Sequence, residues 1–471
     1  MMQTTPSLKQ LYFRLIEVPL GIYLYALGIV AKFGIWLIVD PQREWTLLLA
    51  VNIAELFTWT IWLLLRHGRS RALLLWGLPA ITTIYSSISL SLLALGIHIY
   101  PFQDAAIRDG MAFNSIAATN LWGFVCFFHS PAAIRAFQRK VLGWIDGLSA
   151  TRIGLTALVL MGLIIALAYD AVFIFSGAAT LAVTGGNRQD VLDAMSTGRA
   201  WVLTAAFIAW MITYAVVHMS ARLRPIIGIG REILGILAIL LFLGGYESVG
   251  NRRELTTGLI FICIVLLFRG RVKLVAASSI VLLGIGMWVG VVRTFGSSPE
   301  SRTNTVDYYS SLFSEAVMPI FPLLDAIQQH PQAEFGASYI RAPFELLPSL
   351  GIWQKPKSLA DAFSLHYSGG AMGYAYTPLA EGYVNFGIAA IFLVPFGIVL
   401  MQRAVVGIAI SSVTLDYPVV LGLVMFSLAL DICRGEFESI LFEIALYSVL
   451  ILLYFKLCNL GGNRGNGQRK C

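Results

Sequence analysis

Apolar residues gather along this chain into long blocks separated by short polar breaks, and the blocks are the right length to cross a bilayer. A spanning helix needs about twenty mostly apolar residues. On that measure the hydropathy pattern predicts twelve spans, at 18 to 39, 45 to 65, 73 to 99, 112 to 133, 154 to 176, 200 to 219, 226 to 245, 254 to 268, 274 to 292, 384 to 401, 410 to 432 and 437 to 456. The fold class is therefore all-α, a polytopic integral membrane protein forming one membrane domain over 1–471. The regularity breaks once: residues 293–383 contain no spanning segment, yet Leu, Ile, Phe, Tyr and Trp recur throughout them. Residues of that kind bury surface on folding, so the stretch reads as an ordered cap of short helices over a site. Within it SLFSEAVMPIFPLLDAIQQ places Leu312, Val317, Phe321, Leu324 and Ile327 near one helical face, interrupted by Pro319 and Pro322.

Charge orients the blocks. Cytoplasmic loops carry an excess of Lys and Arg, and with the amino terminus inside, the inner segments hold nineteen such residues against seven in the short outer loops. Both termini are then cytoplasmic, with 459–471 a disordered cytoplasmic tail, and 293–383 lies on the extracytoplasmic side. That topology leaves Arg252, Arg253, Arg293, Arg341 and Arg434 outside, against the bias, where an anionic partner would account for them. A guanidinium fork grips a phosphate bidentately, so several arginines converging on one cavity would suit a lipid diphosphate; the plainer reading pairs each with a neighbouring carboxylate, such as Glu345 for Arg341.

Composition narrows the classes. The apolar share is 58%, the charged share 13% and the mean hydropathy +0.77, which excludes a soluble globule. The net charge of +7 sits in loops that orientation explains, and no basic, aromatic-interleaved domain exists to bind nucleic acid. Five cysteines show no metal-ligand or paired spacing, and MMQTTPSLKQLYFRL lacks the pattern of a cleavable leader. Lys32, Asn52, Glu55 and Asp170 fall inside predicted spans, where helix-to-helix hydrogen bonds are expected of them; His98, His129 and His218 fall near span ends, as interface anchors.

Three short stretches flank the outer face: GGYESVGNRRELTTG, VGVVRTFGSS and LALDICRGEFESILFE. With FGASYIRAPFELLPSLGIWQKP in the cap and TPLAEGYVNFG leading into the next span, they give the carboxyl half, roughly Gly244 to Leu457, a layout that resembles the O-antigen polymerases, the Wzy-type oligosaccharide repeat-unit polymerases of bacterial envelopes. The order Arg434, Gly435, Glu436 departs from the Arg-Glu-Gly order of the enterobacterial-common-antigen relatives. The resemblance implies a metal-independent membrane glycosyltransferase without cofactor in the bacterial inner membrane, polymerising undecaprenyl-diphosphate-linked oligosaccharide units en bloc into O-antigen, capsular or exopolysaccharide chains on the periplasmic face. It implies diphosphate binding by Arg253, Arg293, Arg341 and Arg434, and a chain-length-regulating co-polymerase as partner. A general base needs a carboxylate or imidazole within hydrogen-bond reach of the acceptor hydroxyl, and Glu381, His366 and Glu436 lie in suitable stretches. An O-antigen ligase would use the same chemistry; a secondary transporter or lipid-linked oligosaccharide flippase is the reading from another class.

Overall fold

The computed structural model describes residues 8–128, 317–329, 333–345, 358–368, 376–411 and 435–460, with isolated positions at 132, 134–136, 211, 214, 258, 260–266, 271, 273–275 and 313. Every regular element among them is helical. In chain order these are α1 (Leu8–Ile38), α2 (Pro41–Ala94), α3 (Asp104–Phe127), a 3-10 turn (Met318–Ile320), α4 (Phe321–Gln329), α5 (Ala337–Glu345), α6 (Leu359–Ser368), α7 (Pro378–Phe386), a 3-10 turn (Gly387–Ala389), α8 (Ala390–Ser411) and α9 (Phe437–Leu460). Packing divides the chain into two compact units. One comprises Met1–Pro131, Thr305–Arg403 and Ile432–Ile440; the other comprises Ala132–Asn304, Ala404–Asp431 and Leu441–Cys471. In the second, the described residues include a run from Phe261 to Leu266, buried except at the half-buried Cys263, with Tyr214 tilted against Phe261 at 6.4 Å.

Four described segments are long and apolar enough to cross a membrane: Pro19–Ile38, Arg43–Arg66, Leu75–Ala94 and Pro378–Ala404. Their burial pattern is that of a membrane protein. Along α1, Leu27 is 64% and Val30 67% exposed while Lys32 is fully buried; an outward apolar face with polar groups turned inward is the arrangement that lipid imposes.

Helix α2 runs unbroken through 54 residues, across the boundary between the second and third predicted spans. It nevertheless doubles back. Sixteen residues of straight helix cover about 24 Å, yet Trp76 Nε1 donates to Thr60 Oγ1 at 2.7 Å, and Asn52 Nδ2 reaches Ser86 Oγ at 3.2 Å. The two spans therefore form an antiparallel hairpin that turns around residues 67–74.

α3 packs against α1 and both arms of that hairpin. The node is Lys32: its ammonium donates to Asn52 Oδ1 (2.6 Å), Glu55 Oε2 (2.7 Å), Thr119 Oγ1 (2.7 Å) and the Ser115 carbonyl (2.9 Å). Ser115 Oγ adds a 2.8 Å bond to Asn52. The helix-to-helix bonding expected of Lys32, Asn52 and Glu55 is thus gathered in one place; Asp170 lies outside the described residues. At one end of the bundle Arg66 donates to the Cys126 carbonyl at 3.1 Å and Arg403 to that of Val125.

The opposite end carries α4 to α6. Helices of nine or ten residues rise about 15 Å, half a membrane. α4 lies on α3 so closely that a Cβ at Gly110 would stand 2.3 Å from Leu324. Tyr100 and Phe102 meet Phe321 at 5.6 and 5.5 Å, and Gln103 N–H donates to Gln328 at 2.9 Å. Pro319 and Pro322 do not interrupt a helix; each stands in the first turn of a new one, where a missing N–H costs nothing. The tenth span starts earlier than its apolar run. Thr377 caps α7 by accepting from Ala380 N–H at 3.2 Å, with Pro378 in the first turn, so Glu381 falls within Pro378–Ala404. Gly387, at φ +56°, ends α7 in a conformation that favours glycine.

Removing one member of a buried ion pair leaves an uncompensated charge, at about 3–5 kcal/mol. Lys32→Met should therefore lower the thermal stability of the detergent-solubilised protein markedly, and Lys32→Met with Glu55→Met should recover most of the loss. A single variant that melts with the wild type would show that the pair holds nothing together.

Candidate functional site

Every helix begins with amides that lack a partner within it, and two of the sequence-predicted carboxylates supply such amides in α9 and α6. Glu381 is 2% exposed. Its Oε2 accepts from the Phe437 N–H, the first amide of α9, at 2.6 Å, and its Oε1 accepts from Ser338 Oγ of α5 at 2.5 Å. Asn385, one turn further along α7, donates to Ser338 Oγ and to the Glu381 carbonyl, both at 2.8 Å, which fixes the hydroxyl that holds the carboxylate. The Oδ1 of Asn385 is buried and has no partner among the described residues. Thr377 starts α7, and Glu381 follows in its first turn on the face turned toward α5 and α9.

Glu436, 5% exposed, immediately precedes α9. Its Oε2 accepts from Ala360 N–H in the first turn of α6 at 3.2 Å, and Ser358 bonds the same carboxylate. Both carboxylates therefore meet the start of α9, Glu436 as the residue before it and Glu381 through the Phe437 amide. Burial pushes the Glu436 carboxyl up to about 7, against the pull of the Ala360 and Ser358 hydrogen bonds, and the charges of Glu381 and Glu438 push the same way.

Aromatic residues close the site. Tyr339 of α5 stacks on Phe386 at 5.8 Å and meets the edge of Phe437 at 5.2 Å. Tyr376, 7% exposed, packs edge-on to Phe363 of α6 at 6.2 Å. Burial raises its phenol first, and the negative charges of Glu381, Asp325, Glu436 and Glu334 raise it further, so they share one neighbourhood. Burial raises the Asp325 carboxyl of α4, against the Gln329 hydrogen bond and, more weakly, His366, which is exposed near the end of α6.

Of the four arginines, Arg341 is described. It lies on α5 one turn beyond Ser338, half exposed, and pairs with Glu334 at 3.0 Å, with Nε on the Ala337 carbonyl at 3.3 Å. Its partner is Glu334 where the sequence offered Glu345. Arg253, Arg293 and Arg434 lie outside the described residues. The structure therefore brings together Glu381, Glu436 and the α6 helix that carries His366. It adds Ser338, Asn385, Ser358, Tyr339 and Tyr376, which sequence reasoning did not single out; the four-residue step from Glu381 to Asn385 on a capped helix was the one available signal. Chemically the site offers two water-excluded carboxylates in fixed orientation, one poised near neutrality, which is what proton abstraction from a hydroxyl needs. No protein-family model, curated protein or solved structure matches the chain.

The Glu436 carboxyl binds its proton more tightly when folded than the ordinary carboxyl near 4.5. Its contribution to stability should be intact below about 4.5 and lost as pH rises through about 7. Glu436→Gln should flatten that part of a melting-temperature profile between pH 4.5 and 7.5, and an unchanged profile would remove Glu436 from the titration.

Proposed function

We propose that this protein is a Wzy-type polymerase, transferring a growing glycan from its undecaprenyl diphosphate carrier onto the non-reducing end of a fresh lipid-linked repeat unit. The observation that carries the reading is the carboxylate pair Glu381 and Glu436, buried under short helices at the end of the bundle opposite Arg66 and Arg403. By the bias of basic residues toward the cytoplasm, that opposition supports a cap on the extracytoplasmic face of the bacterial inner membrane, with both termini inside. The short lengths of α4 to α6 support reading residues 293–383 as that cap, in a bundle of twelve spans.

The bond broken joins an anomeric carbon to a diphosphate, already a good leaving group, so catalysis rests on positioning and on charge stabilisation. Glu436 or Glu381 takes the proton of the acceptor hydroxyl as the sugar bond forms; His366, on α6, is the third group placed to do so. Arg341, with its guanidinium half in solvent, engages the departing diphosphate together with Arg253, Arg293 and Arg434. An exposed ion pair contributes at most about 1 kcal/mol to stability, so Arg341 is free to serve the substrate without cost to the fold. A co-polymerase partner would set chain length.

Deleting the gene in its host should leave lipid carriers bearing single repeat units, and a normal glycan ladder without a second polymerase would reject the reading. Arg341→Ala should reduce chain extension by at least tenfold while the melting temperature stays within about 2 °C, with partial rescue by Arg341→Lys. Wild-type extension by Arg341→Ala would take Arg341 out of the diphosphate site.

A further inference from the structure

At the same end of the bundle as the short helices, a hollow opens beside the α1–α2 junction and the connection from α2 to α3. It is an open hollow of about 610 Å³, within the range of small-molecule sites, and its lining includes Trp45, Gly96, His98, Asp104, Arg108 and Asp109. Its walls are built, not incidental. Arg108 is held by Glu44, whose Oε2 accepts from Nε at 2.7 Å, and by the Trp36 carbonyl at 2.5 Å from Nη2; Asp109 accepts from Trp36 Nε1 at 2.9 Å. Glu44 is itself fully buried, and its Oε1 has no partner among the described residues.

The charges select the ligand class. In the lining the carboxylates of Asp104 and Asp109 outnumber the one guanidinium, Arg108, which is already engaged by Glu44, so a phosphate or diphosphate is disfavoured. No three His, Cys, Asp or Glu side chains come together as a metal ion needs among the described residues. An uncharged, hydroxyl-rich molecule is complementary to this lining. Carboxylates accept its hydroxyl protons, a guanidinium donates to its oxygens, and Trp45 with Leu93, Ala94 and Ile107 offers apolar surface to its C–H faces. One turn beyond Asp109 on α3, Phe113 meets the edge of Tyr383 at 5.4 Å, which ties this wall to the helix that carries Glu381.

We propose that this hollow is a saccharide subsite, holding neutral sugar residues of the glycan apart from the diphosphate. The assignment rests on the polymerase reading for the source of the sugar, but its chemistry can be tested alone. Full-length protein in detergent would be titrated with a panel of neutral methyl glycosides (glucoside, galactoside, mannoside and N-acetylglucosaminide) by saturation-transfer NMR, with inorganic pyrophosphate as competitor. We expect at least one glycoside to bind, pyrophosphate not to displace it, and Asp104→Asn to weaken it about tenfold, as loss of a charged hydrogen-bond acceptor does. Asp104 is exposed in the first turn of α3, so melting temperature should not move; Asp104→Lys should abolish binding. No binding by any glycoside, displacement by pyrophosphate, or affinity unaffected by both Asp104 variants would overturn the subsite. Glycoside binding combined with a normal ladder in the deletion strain would leave the subsite standing and the polymerase reading rejected; the converse pair of results would do the reverse.

Discussion

A helix that starts away from water leaves its first amides without acceptors, and the arrangement of the capped end follows from how this chain supplies them. Glu381 reaches from α7 to the first amide of α9, and Glu436, just ahead of α9, reaches to the first turn of α6. A carboxylate at a helix amino end meets both the unpaired N–H groups and the positive end of the helix dipole. Two acidic side chains thereby fasten segments that are 56 and 76 residues apart in sequence. Without them these part-buried amides would lose their acceptors, at about 1–3 kcal/mol each.

The same constraint is met differently deeper in the bundle. Lys32 has three protons and four acceptors within 2.9 Å, drawn from α2 and α3. Nothing there is left over for a ligand, and the node fixes the register of three helices. At the capped end satisfaction is incomplete: Asn385 Oδ1 and Glu44 Oε1 are buried without partners among the described residues. Buried polar groups are nearly always paired, but Trp62 Nε1, packed on Phe127 toward the other end, is buried in the same state, so an unpartnered atom does not by itself mark a ligand site.

How far the sequence could be read depended on whether a feature was local. The spans near residues 19–38, 43–66 and 75–94 announce themselves through apolar blocks that lipid demands, and Thr377-Pro378 announces a helix start through its own side chains. The hairpin turn inside α2 was visible as the break between two apolar blocks. α3 begins at Asp104, eight residues before its apolar run, because its first two turns pack beneath α4 instead of facing lipid. Partnerships across long separations were not legible. Nothing local says that Lys32 meets Glu55 and Thr119, that Arg341 turns to Glu334, or that Ser338 is the hydroxyl holding Glu381. Glu381 and Glu436 could be picked out as carboxylates beside spans; that each closes the end of another segment's helix is a property of the packing alone.

Serving as a cap does not disqualify a carboxylate from proton transfer. Each oxygen keeps a second lone pair, and a group pinned by two hydrogen bonds cannot swing away from a substrate or be reoriented by solvent, which is the condition for electrostatic preorganisation. The two acids differ in a way that matters. Glu381 has both oxygens engaged, by a hydroxyl at 2.5 Å and an amide at 2.6 Å, whereas Glu436 is held on one oxygen by a 3.2 Å amide bond and by Ser358. The more loosely held group, raised to about 7 by burial and by its charged neighbours, gains a proton at least cost to the structure. Glu381 is the more firmly anchored of the two, and Glu436 is the one whose proton moves with least disturbance of the helix ends.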